Sequence, residues 1–187
     1  MRNVWFVTTL CAIVGAGTAA AAEVEFQVTP RMGVGHLHVD RFEGVDQDEL
    51  RHADTIGIGC GAGLLTPIGV VFELGVDFFT EGDLFNFGDS FDISQEFLSV
   101  GYQFELGNGW RLVPRVGRAR WELHSDEGWL FNPGPEETRE IRGYNYFWEV
   151  GVARRLNRVL TLGAAYKQGD FDFGDSRSAS VVLTLGF

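Results

Sequence analysis

Long apolar runs are scarce in this 187-residue chain. The one stretch approaching the length of a membrane helix ends by about Gly17, and mean hydropathy is −0.01. That excludes a bundle of membrane-spanning helices. Cysteine is nearly absent, with Cys11 and Cys60 the two in the sequence, which excludes a disulfide-stapled scaffold. Net positive charge is missing as well: 15 Lys and Arg stand against 26 Asp and Glu, a formal charge of −11. No nucleic-acid partner is expected at a pI near 4.7, because a phosphate backbone selects the opposite sign. What is plentiful is glycine, 25 residues, and phenylalanine, 16, against only 5 prolines.

The first segment reads as an address. Met1-Arg2-Asn3 opens with a positive charge, an apolar run follows from Val4, and small residues end at Ala20-Ala21-Ala22. This pattern predicts a signal peptide over residues 1–22 with cleavage before Glu23. A retained membrane anchor fits less well, because the run is short and broken at Gly15 and Gly17. A lipoprotein at Cys11 is rejected, since Thr8-Thr9-Leu10 has no leucine at the third position upstream. The domain is then 23–187, with Cys60 its one cysteine and no internal disulfide.

From Val24 onward the chain alternates with a two-residue period and shows no sustained helical period. In the last such stretch Ala179, Val181, Leu183, Leu185 and Phe187 share one face, and Ser178, Ser180, Thr184 and Gly186 share the other. Phe26, Val28, Met32 and Val34 oppose Gln27, Thr29, Arg31, Gly33 and Gly35. Similar stretches surround Ile58, Leu74, Tyr102, Leu112, Trp148 and Leu162, giving eight strands. Three connections are tight: Thr66-Pro67-Ile68, Gly107-Asn108-Gly109 and Leu156-Asn157-Arg158. Four, at about 38–54, 80–92, 122–142 and 168–177, are long and polar, and the two kinds take turns.

This form predicts an all-β fold, an eight-stranded antiparallel up-and-down transmembrane β-barrel. A soluble barrel would turn its apolar face inward and its charges outward. Here the polar face combines small residues with Glu73, Asp77, Glu105, Arg111, Arg115, Glu149 and Lys167. Glycines beside large charged side chains suit a narrow lumen that those side chains cross. The charges are expected to pair and close it, leaving little or no steady conductance. Tyr102, Phe104, Trp110, Tyr146, Trp148, Tyr166 and Phe187 lie on the apolar face near strand ends, as in an interfacial girdle.

The leader, the alternating strands and the closing run Val181-Val182-Leu183-Thr184-Leu185-Gly186-Phe187 resemble the small outer-membrane barrels, the group of the OmpA transmembrane domain, OmpX and Ail. The resemblance covers the whole of 23–187. It implies the bacterial outer membrane, with Phe187 as the assembly signal read by the barrel-assembly machinery. No peptidoglycan-binding domain follows the barrel, so an OmpA-like tether to the wall is not expected. Such barrels share a fold and differ in function.

Some of them modify lipid A, by palmitoyl transfer or by deacylation, and need a Ser and a His near the outer leaflet. The histidines are His36, His38, His52 and His124. His124-Ser125-Asp126 is the tempting trio, but neighbours in a strand point to opposite faces. The deacylase's H-x-S pattern is also missing. His36 and His38 share a face and could meet one metal, yet histidines at a strand exit are more often interfacial. We assign no catalytic residue, cofactor or metal.

Two features point to partners. Arg118 and Arg120 continue an apolar face toward the outer end of their strand, where lipopolysaccharide phosphates would suit arginine, unless a bulge turns them inward. The long connections hold most of the acidic residues, including Asp40, Asp46, Asp83, Glu136 and Asp172. Divalent cations there could bridge to the lipopolysaccharide. Large apolar loop residues such as Trp129, Leu130 and Phe131 could contact another surface. The expectation is a monomeric barrel that stabilises the envelope or presents its loops for surface interaction. A lipid A-modifying enzyme is the first alternative and a narrow pore the second.

Overall fold

In the computed structural model, residues 24–39, 52–81, 90–126, 139–171 and 174–187 are described. The expected signal peptide and most of the long connections, with their acidic and aromatic residues, lie outside them. The strands are β1 (Glu25–Val39), β2 (His52–Leu65), β3 (Val70–Glu81), β4 (Ser90–Tyr102), β5 (Phe104–Gly107), β6 (Trp110–Asp126), β7 (Arg139–Arg155), β8 (Leu160–Phe171) and β9 (Gly174–Gly186).

β4 and β5 are one stave interrupted at Gln103, and both pair with β6. Each remaining neighbour pair is antiparallel, and the β4–β6 and β1–β9 pairings close the sheet on itself. The result is a closed eight-stranded up-and-down barrel, in which the short β5 alone pairs on one side only among the described residues. Its tight turns share one end. At the β2–β3 turn Thr66 N donates to Val70 O (2.8 Å), and Gly69 takes φ +88°. At the β5–β6 turn Gly107, Asn108 and Gly109 have φ values of 87°, 53° and 78°. That left-handed run favours glycine and asparagine.

The polar face points inward, as the alternation required. Gln27, Thr29, Glu73, Asp77, Ser99 and Glu149 are buried, while Met32, Val34, Ile58, Leu98 and Val116 are exposed on the outside. The expectation of a uniformly polar lumen needs correction. Toward the loop end the pattern inverts: Leu37, Ile93, Trp121, Leu123 and Phe171 are buried inside, and His36, Asp92, Arg120 and Asp170 are exposed outside. The reason is the change of surroundings. Strands that run beyond the hydrocarbon meet water outside and need no polar lining within.

The same inversion corrects the connection expected at 168–177. β8 and β9 continue through it, paired to Phe171↔Gly174, and only residues 172 and 173 lie between them. Its polar outward residues had looked like a loop. The other long connections shorten similarly, with β6 reaching Asp126 and β7 starting at Arg139.

Candidate functional site

The middle of the lumen is a cross-barrel ionic cluster. Arg31 on β1 reaches two other strands, β3 and β7. It hydrogen-bonds Glu73, its Nη1 donates to Glu149 Oε2 (3.0 Å), and its Nε lies 3.8 Å from Asp77 Oδ1. Arg115 Nη1 bridges the same two glutamates, 3.1 Å from Glu73 Oε2 and 2.9 Å from Glu149 Oε1. Lys167 Nζ donates to Asp77 Oδ2 (2.8 Å) and Gln95 Oε1 (3.2 Å). Three cations thus meet three buried carboxylates, which is how charge can be carried in a dry interior. Small residues on β2 make room: a β-carbon on Gly59 would strike Asp77 Oδ1, and one on Gly61 would strike Glu73 Oε1.

Among these charges, Phe97 and Phe147 meet edge to face with ring centroids 6.0 Å apart. Arg31 Cζ lies 4.9 Å from the Phe97 centroid, and Lys167 Nζ lies 4.3 Å from that of Phe147. The rings face the cations with favourable cation–π geometry.

Of the charged residues read as lumenal, Glu73, Asp77, Arg115, Glu149 and Lys167 fall in this cluster. Arg111 and Glu105 do not. They pair with each other at the turn-end rim, Arg111 Nε to Glu105 Oε1 at 3.0 Å, with the Glu105 side chain 57% exposed. The residue that sequence reasoning left out of the network is Arg31, its centre. Its parity with Gln27 and Thr29 placed it on the polar face, but only the closed barrel brings it against Glu149, 118 positions away.

A second cluster faces outward near the loop end of β6 and β7. Arg118 is exposed, its guanidinium carbon 4.4 Å from the Tyr144 ring centroid and 5.7 Å from that of Tyr146. No bulge turns it or Arg120 inward. Arg120 Nη2 donates to Glu122 Oε1 (3.2 Å), which Arg142 Nε also approaches at 3.1 Å. Arg118 makes no ion pair among the described residues. Arg142 is hidden in the sequence because it falls in the connection expected at 122–142, and Tyr144 because it falls between that connection and the alternation that starts at Asn145.

His36 Nδ1 lies 3.0 Å from Asp54 Oδ1, and His38 stands opposite His52 in the β1–β2 register. Among the described residues no group of three or more His, Cys, Asp or Glu is placed to hold a metal ion. His124 pairs in register with Asp92, and Ser125 with Arg139. Phe187 is 72% exposed, and its backbone exchanges two hydrogen bonds with Phe26 (2.9 and 3.1 Å).

The profile of the Outer membrane protein beta-barrel domain family matches residues 8–187. The chain belongs to that family. No curated protein sequence matches it. Among solved structures, Neisserial surface protein A is similar at 12% identity and a TM-score of 0.69, covering 87% of this chain and 97% of that one. Ail, the attachment invasion locus protein of Yersinia pestis, is similar at 12% identity and a TM-score of 0.59, covering 88% of this chain and 99% of that one. At such identities the likeness is one of fold. With membership in the family, the tight turns are assigned to the periplasmic end and the long connections to the outer face.

Proposed function

We propose that this barrel stabilises the outer membrane by binding lipopolysaccharide phosphates on the arginine–tyrosine patch of β6 and β7. The observation that carries this reading is Arg118. It is outward, exposed, braced by Tyr144 and without a carboxylate among the described residues. Its planar donors are therefore free to fork a phosphate. Arg120 and Arg142 both reach the carboxylate of Glu122, beside Arg118. Glu96 stands opposite Arg120 in the β4–β6 register and lowers the positive charge there, which leaves Arg118 as the main anchor. Divalent cations held by the acidic connections would add to the same attachment. The barrel acts as a non-catalytic monomer in this reading.

The test is lipopolysaccharide retained by the folded barrel through detergent purification. The double variant Arg118→Ala/Arg120→Ala is expected to retain about tenfold less, the loss of one or two charge-assisted contacts. Unchanged retention would sink the proposal.

A further inference from the structure

We infer that the periplasmic end of the same strand pair holds an anionic glycerophospholipid of the inner leaflet, its phosphate between Arg154 and Arg158 beside Trp110. Arg154 is the register partner of Trp110, and its guanidinium carbon lies 5.8 Å from that ring's centroid. Both are exposed. Arg154 continues the outward row of Trp148, Val150 and Val152, so it emerges where the lipid-facing surface ends. A girdle indole beside a guanidinium at that depth suits a headgroup phosphate above and an acyl chain below.

The turn that supplies the second arginine is well tied. Asn157 Oδ1 accepts from Val159 N (2.9 Å) and Leu160 N (2.8 Å). Leu156 N donates to Leu160 O (2.9 Å), and Arg155 Nη2 donates to Arg158 O (3.3 Å). Arg158 is exposed in this turn. Neither it nor Arg154 has an ion-pair partner among the described residues, whereas Arg155 lies 3.6 Å from Glu25 Oε2. The described rim carries the side chains of Arg111, Arg154, Arg155 and Arg158 against those of Glu25 and Glu105 and the carboxylate of Phe187. In a chain with a formal charge of −11, this local positive excess attracts an anion. Leu162, exposed and opposite Arg154 on β8, offers the acyl chain a track.

The spacing agrees with two lipid contacts on one stave. From Trp110 to Arg118 is eight residues, about 26 Å along a strand. At a tilt of about 40° that is roughly 20 Å across the membrane, most of the apolar band's height of about 25 Å. β6 and β7 therefore carry an arginine–aromatic pair at each boundary.

Two free guanidinium groups favour phosphatidylglycerol over phosphatidylethanolamine, whose ammonium they repel. The experiment equilibrates the purified full chain with mixed detergent micelles of these two lipids and measures the bound ratio by mass spectrometry. The wild type is expected to enrich phosphatidylglycerol by about fivefold for each arginine engaged. Arg154→Gln/Arg158→Gln should lose that enrichment while keeping the heat-modifiable electrophoretic mobility of a folded barrel. Arg118→Ala/Arg120→Ala should keep it, which separates this inference from the outer-leaflet reading. If Arg154→Gln/Arg158→Gln fails to fold, Arg158→Gln alone, in the solvent-exposed turn, should still reduce the enrichment. No enrichment in the wild type, as for a soluble periplasmic partner, overturns the inference. So does equal enrichment in the folded Arg154→Gln/Arg158→Gln variant, or an equal loss in Arg118→Ala/Arg120→Ala.

Discussion

Phe97 lies across Gly75 from the neighbouring strand, its Cζ 2.7 Å from where a β-carbon on that glycine would stand. The two are direct partners in the β3–β4 register. The glycine lets the ring lie flat on the inner wall, and there the ring meets Phe147 and the cations Arg31 and Lys167. Phe147 over Gly117 and Trp121 over Gly143 repeat the arrangement. Interior glycines opposite rings let a narrow barrel be filled closely.

Gly75→Ala should therefore destabilise the barrel, although alanine is ordinarily neutral or better in a strand. The added carbon meets the backbone as well as the ring, at Cys60 O (2.5 Å) and Gly61 Cα (2.8 Å). An overpacking cost of about 1–3 kcal/mol is expected. Urea unfolding in detergent micelles would measure it, and an unchanged midpoint would contradict the packing described.

Arg31→Met should cost more, about 3–5 kcal/mol, because it strands buried carboxylates. Adding Glu73→Gln should recover part of the loss, since the two side chains form one network. Strictly additive losses in that double-mutant cycle would mean that the cluster is not coupled.

Lipid A from cells with and without the protein should have the same acyl composition by mass spectrometry. A gained or lost acyl chain would make the barrel an enzyme, and would direct attention to His124 and Ser125 on the loop-end half of β6.

Planar-bilayer recordings of the purified barrel should show no steady conductance. The ion pairs cross the lumen beside the Phe97–Phe147 pair, and a cavity left next to them, lined by Gln27, Arg115, Glu149 and Thr161, is small, about 40 Å³. A sustained ohmic current would require the cluster to part.

The sequence by itself determined the β-barrel. A two-residue period, eight strands, tight and long connections in turn, and charges opposite an apolar face leave little else, because a lipid-exposed chain must satisfy its backbone in a closed sheet. It also placed Glu73, Asp77, Glu149, Arg115 and Lys167 on the inner wall, since parity alone decides that. The tertiary structure decided what parity cannot. Closure of the sheet chose Arg31 as the centre of the ion pairs and sent Arg111 with Glu105 to the rim. Strand length beyond the membrane inverted the alternation, burying Leu37, Ile93 and Trp121 where the lining was expected to be polar. It also made strand of residues that read as loop, and so set Arg142 and Tyr144 beside Arg118 and Arg120. Hydropathy reports a side chain's preference for water, but only the fold says which side of the wall is wet.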